Sequence, residues 1–247
     1  MKFLKYLLIL LVILGIGGFI AIKVMSEKTP QGQSGAAADE LATAVLTKLN
    51  KPAFDTISYL RWEFFRAGQK YFWDKKNNQA IIEWGTNKVI MQLDSQEAKA
   101  YTDGREQTGE SLQKLKAKAW SNWCNDSFWM IAPFKLFDPG TTRELVDVTG
   151  EENATKGLLV KYESGGVTPG DAYLWLLGDD NVPTGYKMWT SIIPVQGLYA
   201  SWKGWEDHMG ALLSTKHDLA GMEASMKQVK AGNHWSEFGY SDNPFSI

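Results

Sequence analysis

Few residues in this chain have the type and spacing to do chemistry. Three His stand at 208, 217 and 234, and two have Asp neighbours, Asp207-His208 and His217-Asp218. On adjacent strands those pairs could offer imidazole and carboxylate to a divalent metal. A metal site needs three or four ligands at supporting spacing, however, and no third ligand stands near them. They read as surface or hydrogen-bonding residues at strand and loop ends. Asp138 with Asp147, or Asp179 with Asp180, could form an acid–base carboxylate pair. Gly178-Asp179-Asp180-Asn181 and Asp138-Pro139-Gly140 are turn compositions, which explains them without catalysis. The sequence has no G-x-S-x-G elbow, no H-E-x-x-H, no phosphate loop and no dinucleotide fingerprint. The single Cys124 can make neither an internal disulfide nor a cysteine-built zinc site, and reads as a small buried hydrophobe. The expectation is a non-enzymatic protein with no catalytic residue, no metal and no cofactor.

What stands out is apolar. The 247 residues include 11 Trp, 9 Tyr and 11 Phe, 13% of the chain. Trp62, Phe64, Ile82, Trp84, Met91, Leu93, Trp175, Met188 and Trp202 fall at alternate positions of candidate strands. Phe128, Trp129 and Phe134 cluster in the mid-chain stretch FWMIAPFKLFDPG. Alternating apolar residues fill an ordinary sheet core in one reading. In the other, these twelve line a cavity and its lid for an apolar ligand. Lys plus Arg at 26 against Asp plus Glu at 28 gives a charge of −2, which argues against a nucleic-acid partner.

The elements that would position these groups follow from periodicity. Asp39 to Asn50 has the apolar stripe of a helix, which Lys51-Pro52 ends. Tyr59–Phe65, Lys70–Trp73, Gln79–Trp84 and Lys88–Leu93 alternate and are separated by short turns, so they form an antiparallel meander. Glu110 to Trp123 is helical in pattern, and Pro133 and Pro139 make the following apolar stretch a short, bent piece. Strands resume at 144–149, 157–163, 171–177, 186–190, 198–205, 211–218 and 224–230. The predicted fold class is α+β, mainly β. It is one curled antiparallel sheet, an unclosed β-barrel of about ten strands, with helix 39–50 and segment 110–137 as a lid.

Ahead of this body, Tyr6 to Ile22 is an uninterrupted apolar run of 17 residues preceded by Lys2 and Lys5. It is a transmembrane anchor or a signal sequence. Ile20-Ala21-Ile22-Lys23-Val24-Met25 is a poor cleavage site, which favours a retained helix with its amino terminus cytoplasmic. No Cys follows that could carry a lipid. The organisation expected is an anchor over 1–25, a linker over 26–38 containing TPQGQSG, and one domain over 39–247. Residues 1–28 hold four Lys and one Glu; removing them leaves 22 basic and 27 acidic residues, a charge of −5. Such a body contacts lipid through apolar surface or its tether, not by charge.

The order of anchor, helix, meander, mid-chain lid and second meander resembles the LolA/LolB-like, outer-membrane lipoprotein-sorting-like family over about residues 39 to 220. FWMIAPFKLFDPG, DAYLWLLGDDNVPTGYKMW (171–189) and WKGWEDHMGALLSTKHDL (202–219) carry the likeness. The resemblance implies an unclosed barrel with a helical lid that holds a lipid, or the acyl chains of a lipidated protein, in an apolar cavity. It also implies a place in the cell envelope, here anchored in the inner membrane with the domain in the periplasm. The alternative is an anchored structural or interaction module without a ligand. An early-strand Arg latches the lid in that family, and Arg61 or Arg66 would correspond.

Overall fold

The computed structural model describes Tyr6 and residues 22–64, 68–164 and 168–246. After a helical turn at residues 22–25 come β1 (Gln33–Ser34), α1 (Ala36–Lys48) and α2 (Lys51–Thr56). A meander follows: β2 (Tyr59–Phe64), β3 (Gln69–Asp74), β4 (Gln79–Trp84), β5 (Asn87–Gln92), β6 (Ala98–Thr102) and β7 (Arg105–Gln107). Next come α3 (Gly109–Ile131) and a 3-10 turn at Ala132–Phe134. The second set is β8 (Thr141–Val146), β9 (Lys156–Tyr162), β10 (Asp171–Leu177), β11 (Pro183–Trp189) and β12 (Leu198–Ser201). The chain ends with β13 (Lys203–His208), β14 (Ala211–Lys216), β15 (Asp218–Leu219), β16 (Met222–Glu223), β17 (Met226–Gly232) and a 3-10 turn at Trp235–Phe238.

The mainly-β α+β class holds, but the single curled sheet of about ten strands does not. Two antiparallel sheets stand in its place, one of eight strands in the order β1-β8-β9-β10-β11-β12-β15-β16 and one of seven in the order β17-β2-β3-β4-β5-β6-β7. Neither closes on itself. Two features divide them. Asp103-Gly104, both at positive φ (50° and 73°), turns the chain from β6 into β7, extending the first meander instead of leading away from it. At the far edge β17 returns to pair with β2, so the first meander is bounded by its own chain on both sides. The stretch 198–205 also breaks at Trp202: β12 pairs with β11, whereas β13 pairs with β14 in a separate hairpin.

The main core lies between the sheets. Trp62, Phe64, Tyr71, Ile82, Val89 and Met91 face it from the seven-stranded sheet, and Leu158, Val160, Tyr173, Trp175, Tyr186 and Met188 from the eight-stranded one. α1 contributes Ala38, Ala42 and Val45 and packs on β8 and β9; α3 packs on β4, β5, β6 and β14. Each sheet also buries its second face. Tyr59, Phe72, Ile81 and Ile90 pack under the carboxy-terminal Phe238 and Phe245, and Leu159, Leu174, Leu176 and Trp189 form a further cluster. Two-sided burial explains why every residue of β10 is buried and why its sequence does not alternate.

α3 runs eight residues beyond the expected end at Trp123, to Ile131, and so takes up Phe128 and Trp129. Pro133 stops it by removing a backbone donor, and Ala132–Phe134 tightens into the 3-10 turn. Lys51-Pro52 likewise ends α1 but opens α2, with Pro in its first turn and the Asn50 side chain accepting from Ala53 N at 3.3 Å.

The segment expected to be a linker is tied to the body. Gly32 N donates to Glu144 at 2.9 Å, β1 pairs with β8, Lys187 meets Glu27 at 3.1 Å, and Trp189 Nε1 donates to Glu27 O at 2.9 Å. The expected membrane span falls, except for Tyr6 and Ile22, outside the described residues, as does Arg66. Among the described residues no helix is long and apolar enough to cross a membrane.

Candidate functional site

A cavity of about 960 Å³ opens between the second half of α3 and the two sheets. Its helical wall runs from Lys118 to Ile131. Phe64 and Gln69, a cross-strand pair at the β2–β3 end, close one side, and Tyr162, Tyr173 and Tyr186 of β9, β10 and β11 form the other. Lys135, Asp138, Pro139, Ser164 and Ile192 complete the rim.

The wall mixes eight aromatic side chains with a dozen polar or charged ones. Phe128 lies 4.8 Å from Tyr173 and 5.8 Å edge-on from Tyr162, and Trp129 lies 5.7 Å from Tyr186. Set into it is a polar end. Asn122 and Asp126, one turn apart on α3, are 6% and 4% exposed although their positions face the core. The Tyr71 hydroxyl donates to Asp126 Oδ2, and Asn125 Nδ2 donates to Oδ1 at 2.7 Å. Burial raises the Asp126 carboxyl above its ordinary pKa, with the Tyr71 and Asn125 hydrogen bonds opposing the rise. Asp171 accepts from Thr168 Oγ1 at 2.6 Å and from the Tyr173 hydroxyl at 3.2 Å. Asn122 Nδ2, Gln69 Oε1 and the Tyr162 hydroxyl are buried atoms without a hydrogen-bond partner among the described residues.

Of the twelve side chains expected to line a cavity and lid, Phe64, Phe128 and Trp129 do so. Trp62, Ile82, Met91, Leu93, Trp175, Met188 and Trp202 are buried in the main core, with Trp84 half-buried against it. Phe134 stacks face-on against Phe54 with centroids 4.1 Å apart, which pins the end of the α3 segment to α2. Arg61 gives Nη1 to Phe238 O at 3.2 Å on the far face of its sheet, so it holds the carboxy-terminal segment and not α3.

Asn122, Asp126, Gln69, Tyr162 and Tyr186 were not singled out by sequence, whereas Tyr173 belongs to the alternating apolar set of the candidate strands. A signal was present: Leu112, Leu115, Ala119 and Trp123 form an apolar helical stripe, its continuation places 122 and 126 beside it, and polar residues on a buried helical face need an explanation. Among the described residues no three His, Cys, Asp or Glu converge on a metal-sized site. His217 is buried, its Nδ1 3.2 Å from Ser201 O, and His208 stands 3.6 Å from Glu206.

Cys124 lines the same cavity, and burial pushes its thiol up to about 11. Iodoacetamide at pH 8 is expected to alkylate it on the order of 100-fold more slowly than a free cysteine peptide, with urea restoring the rate. A rate within a few-fold of the peptide's would show that the thiol is in water.

No family model matches the chain, and no curated protein matches it.

Proposed function

We propose that this protein binds an amphiphile, a lipid or the acyl chains of a lipidated protein, in the cavity between α3 and the two sheets. The observation that carries the reading is the cavity itself: about 960 Å³, at the upper end of the range of small-molecule pockets, with eight aromatic side chains in its lining beside polar groups that include Gln69, Asn122, Asp126 and Asp171. An apolar chain beside Phe64, Phe128 and Trp129 gains from leaving water, and the polar end offers hydrogen bonds to a head group. In this reading α3 and the turn after it cover the cavity between the two sheets, the part that a helical lid plays in the lipoprotein-sorting-like family that the sequence resembles, and no catalysis is involved.

The amino-terminal segment supports an envelope location at a membrane. Gln196 N donates to Ser26 Oγ at 3.1 Å and Glu27 N donates to Gln196 O at 2.9 Å. The same loop carries Ile192, a rim residue that is 62% exposed. With the apolar run anchored in the inner membrane, these bonds hold the cavity rim close to the bilayer, where an acyl chain could pass without crossing water.

Native mass spectrometry of the full chain, extracted gently from cells, tests the reading. The expected result is a retained lipid mass that Phe128→Asp removes, since a charge in the aromatic wall opposes an acyl chain. A wild-type protein without adduct, whose melting temperature no lipid raises, would instead mark an anchored structural module.

A further inference from the structure

The polar end of the cavity is specific enough to name a head-group class. Asn122 and Asp126 project from one face of α3 with Cβ atoms about 5–6 Å apart. Each is more than nine-tenths buried, and both line the cavity. Asp126 receives one hydrogen bond on each oxygen, from Tyr71 and Asn125, and each oxygen has a second lone pair to offer. Among the described residues, Asn122 Nδ2 donates to nothing, and Gln69 Oε1, on the same face of β3 as Tyr71, accepts from nothing. The Tyr162 hydroxyl on the opposite wall likewise has no partner among the described residues. Buried polar groups in folded proteins are almost always hydrogen-bonded, so three in one cavity point to a ligand that completes them.

We infer that this subsite, Asn122, Asp126 and Gln69 with Tyr162 opposite, takes an uncharged, hydroxyl-bearing head group, a glycerol or sugar attached to an apolar chain. The inference rests on the amphiphile reading above. Only a group that both donates and accepts satisfies the set, because a hydroxyl accepts from the Asn122 amide while donating to Gln69 Oε1 or Asp126. An ammonium head donates only and leaves the Asn122 amide unpaired. A phosphate or carboxylate head accepts but meets the carboxylates of Asp126 and Asp171. Among the described residues, the cations on the cavity wall offset these poorly: Lys118 is exposed, and Lys135 is already paired with Asp138.

The test is isothermal titration of the full chain in nanodiscs with a monoacylglycerol, an alkyl glucoside, a fatty acid and an alkyl phosphate of one chain length. The glycerol and sugar compounds are expected to bind roughly tenfold more tightly than the two anions, which is what one hydrogen bond to a buried polar group supplies. Asn122→Leu is expected to erase that preference while leaving the ligand-free melting temperature unchanged or higher, because the amide nitrogen it removes has no partner among the described residues to lose. Asp126→Asn, which still accepts from Tyr71, controls for folding and is expected to weaken the preference only in part. Equal binding of all four compounds, or an alkyl phosphate that binds best, overturns the head-group assignment and leaves the amphiphile reading standing. No binding by any compound overturns both.

Discussion

Trp62→Ala is expected to lower the melting temperature by roughly 10 °C, from a loss of ~3–5 kcal/mol. Trp62 is fully buried, stacks on Tyr71 with centroids 4.9 Å apart, and lies 5.8 Å from Trp123 of α3. Removing the indole leaves a cavity that three elements cannot collapse together to fill. It also frees the Tyr71 ring, whose hydroxyl positions Asp126. Phe128→Ala provides the contrast, because Phe128 is only half-buried and already borders open space. Its cost is expected to be about 1 kcal/mol or less, with its main effect on ligand affinity. Thermal and urea denaturation of the two variants side by side makes the comparison. A Trp62→Ala loss as small as that of Phe128→Ala would return Trp62 to a yielding cavity wall.

The same pair of residues shows what could be read from the sequence. Both satisfy an apolar pattern, and the alternation placed the strands around Trp62, Ile82 and Met91 correctly because period two is a local property of the chain. Whether an inward-facing residue ends in solid packing or at a void depends on what arrives from the opposite side, which no local pattern records. Phe128 and Trp129 border the void because α3 continues past Trp123, whereas Trp62 is sealed by Trp123 itself. The division into two sheets was equally hidden. It depends on β17 returning across more than 150 residues to pair with β2, and on β6 and β7, whose half-exposed Ala98–Thr102 and Arg105–Gln107 carry little apolar signal. The Asp103-Gly104 hairpin turn was the legible clue there. Asp126 was the least accessible of all, since its meaning comes from a Tyr71 hydroxyl 55 residues away.

The largest pH effect is expected at His217. Burial lowers its pKa from 6.5 to about 4, opposed by hydrogen bonding to the backbone, first that of Ser201. The ring sits 4.5 Å from Trp202 and 5.4 Å from Trp129, with Ser225 Oγ accepting from its backbone amide at 3.4 Å. No ionised side chain among these neighbours favours the imidazolium. The unfolded chain takes up a proton as pH falls through about 6.5, and the folded protein does not until about pH 4. Stability is therefore full above pH 6.5, declines through that window by ~3 kcal/mol, and levels off below it. Asp126 acts in the opposite sense. Its raised pKa means that the fold disfavours the carboxylate, so its contribution falls as pH rises from about 3.8. Glu144 and Asp180, both lowered, lose their contributions only as pH drops below the ordinary carboxylate range. An Asp126→Asn background removes this opposing group, so that the decline from pH 6.5 reports the histidine. Urea midpoints at half-unit steps from pH 7.5 to 4.5 should fall for wild type and stay nearly flat to pH 5 for His217→Gln. A wild-type curve equally flat between 6.5 and 5.5 would mean that His217 gains its proton in the folded state, and that the Trp129 end of the cavity admits water.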